Sequence, residues 1–280
     1  DSELQNYELD LVLDSIVYRY GYDFRDYAKA SLKRRVVLCM QQNGLRHVSE
    51  LIPRLLHEPL FFDKFLKGMS VTVTEFFRDP QVFDELRRTV FPKLHTYSRI
   101  NIWHVGCATG QEVYSMAILL EEANLLKKSR LYATDYNACS LAFAKKGIYP
   151  EKEAKEASDR YFQAGGKQSF SHYFHSNFDS TKICDYLKKN VTFAHHNLMQ
   201  DQAFAEMHLI LCRNVLIYFA DPLKNRVLNL LSQSLIRSGF LVLGDKESLM
   251  FSDVCDKYTE HAGKLKIYRK KRELETEFCA

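Results

Sequence analysis

Two acidic side chains and a glycine turn mark where this chain can do chemistry. The stretch Ile100-Asn-Ile-Trp-His-Val-Gly106-Cys-Ala-Thr-Gly110-Gln-Glu112 reads as a strand, a tight turn and a helix start. That is the arrangement in which an α/β sheet holds nucleotide-like ligands at the carboxyl end of a strand. A dinucleotide site wants G-x-G-x-x-G, so that backbone amides and a helix N-terminus cradle a pyrophosphate. Here the spacing is G-x-x-x-G, and the helix opens on Glu112, a carboxylate that repels phosphate. The turn therefore suits a ligand that is cationic or amino-bearing and carries no phosphate. S-adenosyl-L-methionine, with its sulfonium and α-ammonium, is such a ligand. Asp135 ends the segment Tyr132-Ala-Thr-Asp135, 25 residues past Gly110, where nucleoside-binding α/β folds set an acid on the ribose hydroxyls. Either feature alone is ordinary loop chemistry; in this order, with these elements around them, they describe one pocket.

Other chemistries are excluded by composition. The seven cysteines, Cys39, Cys107, Cys139, Cys184, Cys212, Cys255 and Cys279, are odd in number, widely spaced and without a C-x-x-C, so neither a disulfide framework nor a metal site is expected. Cys107 reads as a small residue that fits the turn rather than as a nucleophile. Lys and Arg number 39 against 35 Asp and Glu, a net charge of +4, too little to indicate nucleic acid. No apolar run approaches the ~18 residues that span a bilayer, and the start DSELQNYELD is unlike a signal peptide. A soluble, non-exported, cytoplasmic protein without membrane insertion is the expectation. With 46% hydrophobic and 26% charged residues, 11 Gly and 6 Pro, the chain is neither disordered nor of low complexity.

The elements that must position these residues follow from periodicity. A length of 280 residues predicts about two domains. Residues 1–70 read as an all-helical N-terminal domain. Leu4, Tyr7, Leu11, Val12, Ser15 and Ile16 recur at helical spacing, as do Leu32, Val36, Cys39 and Met40; Asn43-Gly44 ends the second helix, and a fourth stops near Gly68. Residues 71–98 form a linker and connecting helix, opening on the β-branched Val71-Thr72-Val73-Thr74, with Asp79-Pro80 as a cap and first helical position. From 99 to 280, strands at 100–105, 130–134, 191–194, 208–212 and 240–243 alternate with helices at 112–122, 138–146 and 221–236. This pattern implies a mostly parallel, Rossmann-like sheet covered on both faces. The rhythm breaks at about 148–190, where a small inserted β-subdomain is expected.

Several strings carry a further resemblance. Thr74-Glu-Phe-Phe-Arg78-Asp-Pro, the Trp103–Ser115 stretch, Ala133-Thr-Asp135, His196-Asn197-Leu198 and Leu211-Cys-Arg213-Asn214-Val-Leu-Ile-Tyr218-Phe together resemble the CheR family of chemotaxis receptor methyltransferases, over residues 10–268. The resemblance implies an α/β S-adenosylmethionine-dependent methyltransferase domain with an inserted β-subdomain, behind a small all-α domain. It implies that the chain methylates glutamate carboxylates on methyl-accepting chemoreceptors and releases S-adenosyl-L-homocysteine. By the same likeness Thr72, Thr74 and Arg78 close over the cofactor, beside the loop that starts at Gly106. Glu112 lies near its methionine end, Asp135 at its ribose and Asn197-Leu198 at the adenine edge. Arg213-Asn214 flank the pocket from the fourth strand, and Tyr218 stands beside the transferred methyl. Arg78 and Tyr218 are then positioning groups at the reaction centre. The chain departs from the pattern at Thr72, often Asn; at Gln111, where Glu is common; and at Gly244-Asp245-Lys246-Glu247-Ser248, in place of a GHSES-like string.

Charge in the N-terminal domain is uneven: residues 1–18 hold five acids and no base, and residues 19–57 hold eight Lys/Arg against three acids. Lys29, Lys33, Arg34 and Arg35 sit on the second helix, which in the resembled family is expected to meet the acidic receptor helices; a basic face would steer such a partner. A solvated basic surface explains the same residues. Two other readings stay open, a methyltransferase with another acceptor and a cofactor-binding signalling scaffold without transfer. The oligomeric state is not legible.

Overall fold

The apolar periodicities of the chain resolve into two units in a computed structural model that describes residues 2–69, 74–198 and 201–272. The first unit comprises Asp1–Val71 and Leu216–Val227. Its helices are α1 (Ser2–Tyr20), α2 (Lys29–Gln42), α3 (Leu51–His57) and α4 (Pro59–Met69). The seam of α1 is Leu9, Val12, Leu13 and Ile16, the i, i+3, i+4, i+7 set, which packs in a core shared with Leu32, Val36, Leu51, Leu55, Phe62 and Phe65. Leu4, Tyr7 and Leu11, helically spaced as well, lie on the exposed side of α1. Asn43 ends α2, followed by Gly44 at φ +67°, as the Asn-Gly pair predicts.

Residues 216–227, expected with the α/β part, group with the N-terminal helices for a specific reason. The Ala28 N–H donates to the Tyr218 carbonyl at 2.8 Å and the Ala220 N–H to the Asp26 carbonyl at 2.7 Å. The rings of Tyr27 and Phe219 meet edge-on at 5.1 Å.

The second unit comprises Thr72–Val215 and Leu228–Ala280. Its main sheet runs β6-β2-β1-β7-β8-β10-β9, built from β1 (Ile100–Val105), β2 (Ser129–Asp135), β6 (Val191–His195), β7 (Met207–Cys212), β8 (Leu235–Leu243), β9 (Tyr258–Ala262) and β10 (Ile267–Lys270). β6, β2, β1, β7 and β8 pair in parallel, and β10 is antiparallel to both neighbours. The order reverses between β1 and β7, the switch point where open α/β sheets bind ligands. Beside it stands α7 (Gln111–Glu122), nine of whose twelve residues are buried. α8 (Ala138–Lys146) follows β2, and Pro80 opens α5 (Pro80–Glu85), which passes through a π-helical turn (Leu86–Val90) into α6 (Phe91–Leu94). α11 (Asp221–Ser234) contributes its residues from Leu228 onward to this unit.

The expected insertion is present. β3 (Ile148–Pro150), β5 (Ser180–Ile183) and β4 (Phe174–Asn177) form an antiparallel sheet in the order β3-β5-β4, accompanied by α9 (Glu151–Gln163) and followed by α10 (Asp185–Lys188). Among the described residues no helix is long and apolar enough to cross a membrane.

Candidate active site

The turn after β1 is held by conformation and by close packing. Gly106 and Gly110 take φ of +66° and +90°, and a Cβ on them would lie 2.6 Å from Val215 Cγ2 and 2.9 Å from Ala144 Cβ; side chains at these positions would both strain and clash. Asp135, the last residue of β2, ties the turn to the sheet: its Oδ2 accepts the Ala108 N–H and its Oδ1 the Asn137 N–H, both at 2.9 Å. Burial raises the Asp135 pKa above the usual carboxylate value, against the pull of these two N–H donors. Asn137 in turn caps α8 through the Cys139 and Ser140 amides. The Cys107 thiol is buried, and burial together with the neighbouring Asp135 and Glu112 charges pushes its pKa well up, as suits a packing residue and not a nucleophile.

Glu112, in the first turn of α7, is gripped from two sides. Its Oε1 accepts from His104 Nδ1–H at 2.9 Å and its Oε2 from Arg213 Nη1 at 3.1 Å. Burial pushes the carboxyl pKa up, but the His104 hydrogen bond and the Arg213 charge outweigh it and hold the group below its ordinary value. The other end of Arg213 donates to the Arg78 carbonyl at 3.0 Å and to Asp79 Oδ2 at 2.5 Å. Arg213 is thus a nearly buried brace between α7 and the segment that carries Arg78. Asp79, expected as the cap of α5, makes no capping hydrogen bond, because its carboxylate is committed to Arg213. Phe77 and Asp79, on either side of Arg78, have φ of 54° and 55°, unfavourable for a bulky residue. Phe76 and Phe77, both fully buried, and the Phe77 N–H on Ser115 Oγ at 2.9 Å hold the strained turn.

His104 escaped the sequence reading. It lies on β1, wholly buried, and its Nε2 has no partner among the described residues. Its signal was a histidine set among Ile102, Trp103 and Val105, eight residues before Glu112. Glu247 escaped it too. Its buried carboxylate accepts three amides, from Asn214 at 3.0 Å, Val215 at 2.9 Å and Gly244 at 2.6 Å, and so fastens the ends of β7 and β8 together. Asn214 takes φ +60° in that turn. The departures from the resembled string, Asp245 and Lys246, are exposed, whereas Gly244 and Glu247 are the residues inside the bracket.

The remaining expected residues fall as follows. Asn197 is buried and its N–H donates to Asp201 Oδ2 at 2.6 Å; the preceding His196 N–H meets the Asp135 carbonyl at 3.2 Å, which brings the turn with Leu198 beside the end of β2. Thr74 is half-buried, and Thr72 lies outside the described residues. Gln111 accounts for its own departure: its amide donates to Glu153 Oε2 at 3.2 Å and accepts from Thr109 Oγ1 at 2.7 Å. Within the first unit, the Tyr218 ring lies under the Arg35 guanidinium at 5.0 Å, and Arg35 donates to the Met69 carbonyl. Arg35, expected on a partner-facing surface, is instead half-buried as a staple, because two acceptors of its own unit engage it. Lys33 reaches Asn6 Oδ1 at 3.0 Å, Lys29 approaches Asp10 at 3.9 Å, and Arg34 is exposed.

The family description "CheR methyltransferase, SAM binding domain" matches residues 72–263, and "CheR methyltransferase, all-alpha domain" matches residues 7–70. The chain belongs to the CheR methyltransferase family. Among CheR-like relatives, it is 43% identical over 263 residues to the putative methyltransferase Cher3 of Pseudomonas putida, covering 94% of this chain and 96% of that one. It is 28% identical over 232 residues to a chemotaxis protein methyltransferase of Listeria monocytogenes (82% and 86% covered) and over 257 residues to one of Borreliella burgdorferi (86% and 88%). The cofactor of this CheR domain is S-adenosyl-L-methionine, and the residues fit it. The turn offers an ionised Glu112 and a strand-end Asp135, charges compatible with a cationic nucleoside, and from Gly106 to Glu112 there is no basic side chain to hold a phosphate.

Proposed function

We propose that this CheR-family protein is a cytoplasmic protein-glutamate O-methyltransferase that modifies the cytoplasmic helices of methyl-accepting chemoreceptors. The observation that carries the reading is Glu112, kept ionised by His104 and Arg213 beside the glycine turn, an electrostatic seat for a positively charged donor. The names of the Listeria and Borreliella relatives support the chemotactic setting.

When bound, S-adenosyl-L-methionine supplies an electrophilic methyl, whose bond to sulfur breaks as a bond to the acceptor oxygen forms, leaving S-adenosyl-L-homocysteine. The acceptor carboxylate, with an unperturbed pKa of about 4.3, is already ionised at neutral pH, so no residue need act as general base. Alignment and exclusion of water remain for the protein to provide. In this reading Glu112 orients the methionine end, Asp135 the ribose and Asn197-Leu198 the adenine. Arg78 and Tyr218 position the acceptor; a pairing of Arg78 with the acceptor that is no stronger in the transition state would not speed the reaction. Lys29, Lys33 and Arg34 steer the acidic receptor helices.

The test is transfer of labelled methyl to purified receptor cytoplasmic helices, with base-labile release of methanol identifying the ester. Arg78→Ala should lower the rate by ~100-fold, and Asp135→Ala should abolish calorimetric binding of S-adenosylhomocysteine. Label recovered on another side chain, or cofactor binding indifferent to Asp135→Ala, would sink the proposal.

A further inference from the structure

At the opposite end of the same sheet, where β7 and β8 begin, the second unit carries an open cavity of about 210 Å³. Lys93, Tyr97, His208, Ser238, Arg269 and Arg272 contribute to its wall, and no lining residue is acidic. The three cations are organised by two residues of β8 that flank Gly239. Ser238, held at φ +61°, accepts Arg269 Nε at 3.5 Å through its carbonyl and Arg272 Nε at 3.0 Å through its hydroxyl. Phe240, paired with Arg269 across β8 and β10, carries the Lys93 ammonium at 5.4 Å and the Arg269 guanidinium at 5.9 Å from its ring centre. Among the described residues neither Lys93 nor Arg269 has a carboxylate within 4.0 Å. His208 accepts the Asn101 N–H on Nδ1 at 3.1 Å, which leaves Nε2 as the nitrogen that can donate.

We propose that this cavity is a binding site for a phosphate group, remote from the glycine turn and independent of the methyl-transfer reading. Planar guanidiniums tethered through Nε present their terminal nitrogens in the fork that matches phosphate oxygens, and an ammonium adds a point charge. Lys93 and Arg269 also repel one another, a cost that an anion between them would relieve. Burial and the charge of Arg269 lower the Lys93 pKa; nearby His261 is lowered chiefly by burial, with Lys93 and Arg269 adding to the shift and Glu85 opposing it. Among the described residues Glu206, exposed and two residues before His208, pulls the His208 pKa up against the larger, lowering effect of burial.

The probe is pyrophosphate, titrated calorimetrically into the full chain at constant ionic strength. Saturable binding is expected, weakened at least ~10-fold by Arg269→Gln and by Lys93→Gln, with S-adenosylhomocysteine affinity unchanged in both variants. Lys93→Gln alters only an exposed helical side chain, so a folding failure of Arg269→Gln leaves the question answerable. Glu273, Glu275 and Glu277 follow Arg272 in the sequence, and the titration is repeated with all three changed to Gln; binding in either chain that the cavity variants weaken supports the site. Vesicles of phosphatidylglycerol, compared with phosphatidylcholine, separate the sources. Vesicle binding displaced by pyrophosphate assigns a lipid headgroup, and pyrophosphate binding without vesicle binding assigns a soluble phosphate. Absence of saturable pyrophosphate binding in both chains, or affinity indifferent to the cavity variants, overturns the proposal.

Discussion

Replacing Arg213 by Gln tests the brace on which the proposed site rests. The side chain is 2% exposed, and its Nη1 lies 3.1 Å from the Glu112 carboxylate. At an effective dielectric of about 20, two unit charges at that separation attract by about 5 kcal/mol. The pair with Asp79, whose side chain is 45% exposed, is screened and adds no more than about 1 kcal/mol. Removing one member of a buried pair costs about 3–5 kcal/mol, because the other charge is left behind; His104 remains on Oε1, so the lower half of that range is expected. With a urea slope of about 2–3 kcal/mol per molar, the midpoint should fall by roughly 1–2 M. Trp103, the one tryptophan of the chain and fully buried on β1, reports unfolding of this unit by its fluorescence. The pH dependence has a definite sign. In the wild type the folded Glu112 pKa is lowered, so its contribution is present above the unfolded value, about 4.3, and is lost as pH falls through the lower folded one. Without Arg213 two of the pulls that offset burial are gone and the carboxyl pKa rises from its wild-type folded value, so the variant's deficit should be largest near pH 7 and narrow as pH falls through the carboxylate range. A deficit below about 1 kcal/mol at pH 7, or one that does not change with pH, would refute the account.

Two further substitutions probe the loops around the site. Gly244→Ala sets a Cβ 2.7 Å from both the Asn214 nitrogen and Glu247 Oε2, which should cost about 1–3 kcal/mol and lower the melting temperature by roughly 2–12 °C, whereas Asp245→Ala should leave it unchanged in the same calorimetric scan. Gln111→Glu replaces the amide that serves Glu153 with a like charge and should destabilise by about 1–2 kcal/mol at pH 7; adding Glu153→Gln should restore most of the loss, which a double-mutant cycle measures.

What the sequence disclosed was local. The strand, glycine turn and helix start around Gly106 and Glu112 lie within thirteen residues, and the strand-end Asp135 follows from the next period of the same pattern. β1 and α8 run over the residues that their periodicity predicts. Partners far apart in the chain stayed hidden: nothing in spacing joins Glu112 to Arg213, 101 residues on, or Asn214 to Glu247. For the same reason Asp79 read as a cap and Arg35 as a surface charge. β9 and β10 passed unnoticed because their pairing is antiparallel at the sheet edge and only Tyr258 of β9 is buried. In α9 only Ala157 and Tyr161 are buried, too thin a stripe to see, although the i, i+4 pairs Glu151–Lys155 and Lys152–Glu156 were a usable sign of helix.

The bracket formed by Glu247 divides its short loop into positions with structural duties and positions without. Gly244 must lack a side chain and Glu247 must carry a carboxylate of that length, because three amides from two strand ends converge on it. Asp245 and Lys246 are exposed between them. Mutational drift there is nearly free of cost to the scaffold, so the loop can lose a histidine and gain a charge pair with the backbone beneath it unaltered. The same latitude makes 245 and 246 suitable anchor points for a fluorescent or spin label at the carboxyl edge of β8, where a reporter can be attached without disturbing the fold it is meant to observe.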